Sequence, residues 1–108
     1  MDRQASELYK LKAGVLQAIA HPLRLAILDV LSEGEHCVCD IAAAVGAKRS
    51  NVSRHLAVML SAGILASRRE GLQVFYQLRT PCILNSLDCV ANVLREQLSQ
   101  RSALIDKL

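Results

Sequence analysis

Four cysteines offer the most versatile chemistry in this 108-residue chain, and two of them form the triplet Cys37-Val38-Cys39. Thiolates bind soft ions and enter disulfide and persulfide chemistry. On a regular helix, side chains at i and i+2 point about 200° apart, whereas in extended or frayed backbone they lie on the same side. A CxC at a helix start therefore chelates a soft ion only if the first turn opens, which would couple ion binding to the geometry of that helix. The alternative is two small buried apolar side chains. Cys82 and Cys89 stand seven residues apart, about 10.5 Å along a helix axis. They share a face with Ser86, Val93 and Glu96, roughly 130–140° from the apolar stripe. Two thiolates on one ion need sulfurs within roughly 4 Å, given metal–sulfur bonds of ~2.3 Å. Within one straight helix they cannot share an ion, so each must pair with the CxC or with another subunit.

Other reactive side chains carry less. His21 precedes Pro22 at a helix start and reads as a capping or packing residue. His36 adjoins Cys37 and could assist a thiol site, while His55 reads as a nucleic-acid contact. No histidine stands in a triad-like arrangement with nucleophile and carboxylate, and there is no phosphate-binding glycine loop or HExxH. An enzyme is not expected. Three aromatic residues (Tyr9, Phe75 and Tyr76) and no Trp argue against a stacking platform for single strands. No run approaches the ~20 apolar residues of a membrane span, and Met1-Asp2-Arg3-Gln4 begins no secretory signal. The expectation is a cytoplasmic protein without a membrane partner, whose cysteines serve as thiols rather than structural disulfides.

The net charge of +3 is unevenly placed. Residues 1–47 carry four basic and six acidic side chains, and residues 80–108 carry three of each. Between them, Lys48, Arg49, Arg54, Arg68, Arg69 and Arg79 face only Glu70. Such a patch is the electrostatic footprint of a polyanion partner.

The elements that would position these residues follow from hydrophobic spacing. Leu8, Leu11, Val15, Ala18 and Ile19 fall at helical spacing, and Pro22 opens a second helix with a stripe at Leu23, Ala26, Ile27, Val30 and Leu31. A short helix over residues 39–45 stops at Gly46. Ser50 or Asn51 can cap a fourth helix over residues 50–62, with Val52, Leu56, Met59 and Leu60 turned inward. The period then changes to two: Leu72, Val74, Tyr76 and Leu78 form one face of a strand. Residues 64–69 supply its partner and Glu70-Gly71 the hairpin tip. From Pro81 a last helix runs nearly to Leu108, with Leu84, Leu87, Ala91, Leu94 and Leu98 on one face. The order α-α-α-α-β-β-α predicts a mainly α fold with a β-hairpin wing, a winged helix-turn-helix in one domain over residues 1–108.

Residues 50–62 would be the recognition helix, and operator DNA the double-stranded partner. Its expected contacts are Lys48, Arg49, Ser50, Asn51, Ser53, Arg54 and His55, with Arg68, Arg69 and Gln73 from the wing. A last helix of some 27 residues would extend ~40 Å, longer than a domain of this size can cover. The apolar faces of the first and last helices therefore call for a second copy, a homodimer with recognition helices ~34 Å apart.

Several ordered segments resemble the ArsR/SmtB family of metal-sensing repressors: residues 20–28 (AHPLRLAIL), 36–41 (HCVCDI), 53–56 (SRHL) and 63–65 (GIL), with Gly71, Phe75 and Tyr76. The resemblance covers roughly residues 8–98. It implies a homodimeric winged helix that leaves DNA when its inducer binds. The Cys-Val-Cys-Asp segment is similar to the inducer site of the arsenite and the cadmium/lead branches. Where the arsenite branch adds a third cysteine this chain has Ala42 or Ala43, and it has none before Cys37 for the cadmium/lead pattern. The zinc pattern on the last helix falls on Thr80, Cys82, Val93 and Glu96, so a conventional zinc site is missing. The resemblance thus implies an inducer site of Cys37 and Cys39 completed by Cys82 or Cys89. As(III) is the first candidate ion, and Cd(II), Pb(II) or Sb(III) are the alternatives. A second expectation keeps the fold and replaces the ion by a thiol redox or reactive-sulfur signal. A third is a zinc-stapled dimerisation module without DNA function.

Overall fold

The computed structural model describes residues 1–107, so Leu108, the end of the expected domain, lies outside the described residues. Helix α1 spans Arg3–Gln17 and opens where the Asp2 carboxylate accepts the Ala5 N–H at 2.7 Å. Helix α2 spans Pro22–Ser32; Pro22 stands in its first turn, where a missing N–H costs nothing. The His21 ring caps it, Nδ1 accepting the Leu23 N–H at 3.1 Å.

A two-residue strand follows, β1 (His36–Cys37), and leads directly into α3 (Val38–Val45). Gly46 closes α3 with φ +69°, a left-handed position that favours glycine, and its N–H reaches the Ala42 carbonyl at 2.9 Å. Helix α4 spans Arg49–Ser61. The hairpin is β2 (Leu65–Glu70) and β3 (Gln73–Leu78), and α5 occupies Ile83–Asp106. The three antiparallel strands lie in the order β1-β3-β2.

Helices α2, α3 and α4 meet around one core. Ile27, Leu28 and Leu31 come from α2, Ile41 and Ala42 from α3, and Val52, Leu56 and Met59 from α4. Ile64 and Leu65 close it from the hairpin side. Burying a side chain such as Leu56 stabilises the domain by about 1.5–3 kcal/mol. No polar or charged residue is buried among those described.

The winged helix-turn-helix is present, with local corrections. Strand β1 was not expected; two residues are too few to show a period. Its pairing, His36 with Tyr76 and Cys37 with Phe75, adds a third strand to the wing. Leu72 belongs to the hairpin turn instead of a strand face and is fully exposed, because Glu70 pairs with Gln73 and leaves Gly71-Leu72 between them. Gly71 takes φ +62° there. Lys48 replaces Ser50 or Asn51 as the N-cap of α4, and no side chain caps that end. Helix α5 starts two residues after Pro81 and has 24 residues, so it extends ~36 Å rather than ~40 Å.

Helices α1 and α5 contain no buried residue. Leu8, Leu11 and Leu16 on α1, and Val93, Leu94 and Leu98 on α5, are all more than half exposed. Only the start of α5 packs on the core, through Ile83, Leu84 and Leu87. No single described helix is long and apolar enough to cross a membrane.

Candidate functional site

The segment 46–48 turns α3 into α4, and the burial of Val52, Leu56 and Met59 decides which side of α4 stays outside. Arg49, Ser50, Ser53 and Arg54 are exposed, and Asn51 is half-buried. Arg54 Nη2 donates to Asn51 Oδ1 at 3.1 Å, which orients both side chains along the open face. Lys48 sits at the N-cap, and Arg69 and Gln73 are exposed near the hairpin tip. Among the described residues Lys48, Arg49, Arg54 and Arg69 have no carboxylate within salt-bridge distance. Unneutralised cations gathered on a helix and a hairpin suit a phosphate backbone.

Two further expected contacts are engaged by residues of other elements. His55 faces α2, where Arg24 Nε donates to its Nδ1 at 3.1 Å and the His21 ring stands 4.5 Å away between centroids. Burial, then the charges of His21, Arg24 and Arg54, push its pKa below the usual histidine value. Arg68 is matched by two carboxylates: Nη2 lies 2.6 Å from Glu35 Oε1, and Nη1 2.7 Å from Glu70 Oε2. The Arg68 guanidinium holds the Glu35 carboxyl below the usual carboxylate range, while hydrogen bonds to Glu35 and Glu70 raise its own pKa. Sequence reading could not find Glu35, which lies 33 residues from Arg68.

The four thiols are all free. Cys37 is buried at the N-cap of α3 with extended backbone (φ −81°, ψ 165°), and Cys39 is exposed in the first turn. The triplet thus begins outside the helix, so the divergence of a regular helix does not apply to it in full. A cavity of about 100 Å³ is lined by Cys37, Cys39, Arg49 of α4 and Gln73 and Val74 of the wing. His36 is occupied nearby, its Nδ1 2.9 Å from the Gly34 carbonyl.

Cys82 and Cys89 are exposed, Cys82 at the N-cap of α5 and Cys89 along it. Cys82 lines a separate groove of about 520 Å³ between α1 and α5, with Lys12, Val15, Leu16 and Ser86. Among the described residues, no three His, Cys, Asp or Glu side chains are gathered to hold a metal ion. A dithiol is available at Cys37 and Cys39, but one chain does not bring a third thiol to it.

Residues 21–67 match the model for the bacterial regulatory protein, arsR family. The HTH-type transcriptional regulator Rv0081 of Mycobacterium tuberculosis is 37% identical over 106 residues, 97% of this chain and 93% of that protein. The chain belongs to the ArsR/SmtB family. The crystal structure of Rv0081 superposes with a TM-score of 0.75 at 39% identity, over 87% of this chain and 95% of that one. The homodimeric winged helix-turn-helix DNA-binding domain of Mycobacterium bovis Mb0332 gives a TM-score of 0.78 at 31% identity, covering 93% of each. The arsenical resistance operon repressor of Escherichia coli is 40% identical over 65 residues, 59% of this chain and 56% of that protein. This chain is accordingly a transcriptional regulator with a family fold that dimerises in a close structural neighbour.

Proposed function

We propose that this ArsR/SmtB-family chain is a cytoplasmic homodimeric repressor that holds operator DNA with α4 and the wing of both subunits. A thiophilic metal(loid) ion releases it by binding Cys37 and Cys39 with a third thiolate from Cys82 or Cys89. As(III) is the leading inducer; it favours three sulfurs in a pyramid, and Cd(II), Pb(II) and Sb(III) could use the same donors. Because one chain does not gather the third thiol, the site is completed by the partner subunit or by a rearrangement of α5. The observation that carries the reading is the cavity shared by Cys37, Cys39, Arg49 and Gln73. An ion entering there would act on the first turn of α3, the start of α4 and the wing at once. Likeness to the E. coli arsenical repressor supports the same inducer.

A second reading is favoured by the exposure of three of the four thiols, Cys39, Cys82 and Cys89. Here Cys37 or Cys39 joins Cys82 or Cys89 through a disulfide, two thiol hydrogens passing to an oxidant, or through one bridging sulfur from a polysulfide, which takes up the two hydrogens as hydrogen sulfide and leaves two sulfurs shorter. Titration of reduced protein with As(III), Cd(II), Zn(II) and polysulfide, followed by release of operator DNA, tests both. Intact dithiol mass plus a bound metalloid supports the ion; loss of two hydrogens or gain of sulfur supports the redox signal. DNA release by none of these agents contradicts both.

A further inference from the structure

Arg68 is held on three sides: by Glu35 beside the thiol-bearing segment, by Glu70 of its own strand and by the Phe75 ring of β3. Its Nε donates to both Glu35 oxygens at 2.9 Å and its Nη2 to Oε1 at 2.6 Å. Nη1 donates to Glu70 at 2.7 Å, and the guanidinium lies 4.7 Å from the Phe75 ring centroid. The strand register connects these contacts to the cysteines. Phe75 of β3 pairs with Arg68 of β2 on one side and with Cys37 of β1 on the other. One row across the sheet therefore runs Cys37, Phe75, Arg68. Glu35, two residues before Cys37, reaches back over it to grip Arg68.

We propose that Glu35 and Arg68 form a clasp that positions the wing, so that Arg68 is a positioning residue and not a phosphate ligand. Glu35 then sets the hairpin's orientation from the segment that carries the first thiol. This rests on reading the hairpin as a DNA-binding wing. A two-stranded hairpin alone is marginally stable, and β1 contributes only two residues of pairing. Exposed ion pairs are usually weak, but a planar fork held by a carboxylate and laid over an aromatic face fixes direction as well as distance. Movement of Cys37 would thereby reach the wing along two routes, the Phe75 pairing and the clasp.

Glu35→Gln, Arg68→Lys and their combination test this by a sign that charge alone cannot produce. Glu35→Gln removes a negative charge from the DNA-binding half, so simple electrostatics predicts tighter binding. The clasp predicts operator affinity lower by ~threefold or more with an unchanged salt slope. Arg68→Lys keeps the charge but loses the fork, and should fall similarly, with the double variant no weaker than either single. In the free protein, amide exchange over residues 65–78 should quicken in each variant. Tighter binding by Glu35→Gln, with a salt slope steeper by about one, would make Arg68 a phosphate ligand and overturn the clasp. Unchanged amide exchange would overturn it too. Failure of the parent to bind any operator would instead refute the DNA-binding reading, and the exchange measurement would still decide the clasp.

Discussion

Cys37 and Cys39 are separated by one residue yet differ in surroundings: the first is a buried N-cap paired to β3, the second is open to solvent. In the proposed ion site the exposed Cys39 would be the point of first capture, and engaging the buried Cys37 would act on the β1–α3 junction. Replacing Cys82 and Cys89 singly tests how the site is completed. With one ion per subunit and one further thiol, only one of the two serines abolishes the response; if both do, two ions or both subunits are involved. His55 makes a separate prediction. Its neutral ring accepts from Arg24, and its folded pKa lies below the unfolded value. The unfolded chain therefore takes up a proton first, and stability present above pH ~6.5 is lost as pH falls through the folded value. Thermal melts from pH 8 to pH 5 should show this loss, and His55→Gln should reduce it. An equal loss in the variant would assign the pH dependence to other groups.

At the scale of elements, the proposed interface assigns base reading to α4 and backbone contacts to the wing. Arg54→Ala should cost about 1–3 kcal/mol of specific affinity if it reads a base edge. Arg69→Ala should weaken all sequences alike and lower the salt slope by about one. Unchanged affinity and slope in both variants would remove α4 and the wing from the interface. Leu56→Ala should lower stability by about 2–5 kcal/mol, because Leu56 is completely buried where α4 meets the core; a loss below 1 kcal/mol on denaturant titration would contradict that packing. Much of this was readable in sequence. The α2 stripe, the Gly46 stop, the inward side of α4 and the change of period at the hairpin are local signals, and each marks an element that formed. What escaped reading is non-local or too short for periodicity. Strand β1 has two residues, the Arg68 partner is Glu35, and Leu72 keeps the alternating pattern while standing in the turn. The basic segment places His55 among the candidate DNA contacts; the contacts it makes with Arg24 of α2 and with the N-cap His21 are far off in sequence.

The molecule as a whole is elongated, 60 × 43 × 22 Å, and α1 and α5 carry apolar faces that the single chain leaves open. In the proposed homodimer these faces would cover each other and set the two α4 helices for successive turns of DNA. Leu94→Glu with Leu98→Glu should shift sedimentation toward monomer and weaken operator binding, while the α2–α4 core melts as before; a dimer unchanged by both charges would place the interface elsewhere. In the proposed mechanism, coupling between thiols and DNA would be a difference in ion affinity between two states of that dimer. The most direct test follows operator-DNA affinity of reduced protein during As(III) titration, in the parent and in the Cys37→Ser, Cys39→Ser double variant. Parent and variant should bind alike without the ion, since neither thiol holds α4 in place. As(III) should then weaken the parent by ~5–150-fold and leave the variant bound, because a serine hydroxyl is a poor ligand for soft ions. Release of the double variant at the same As(III) concentration as the parent would contradict the account.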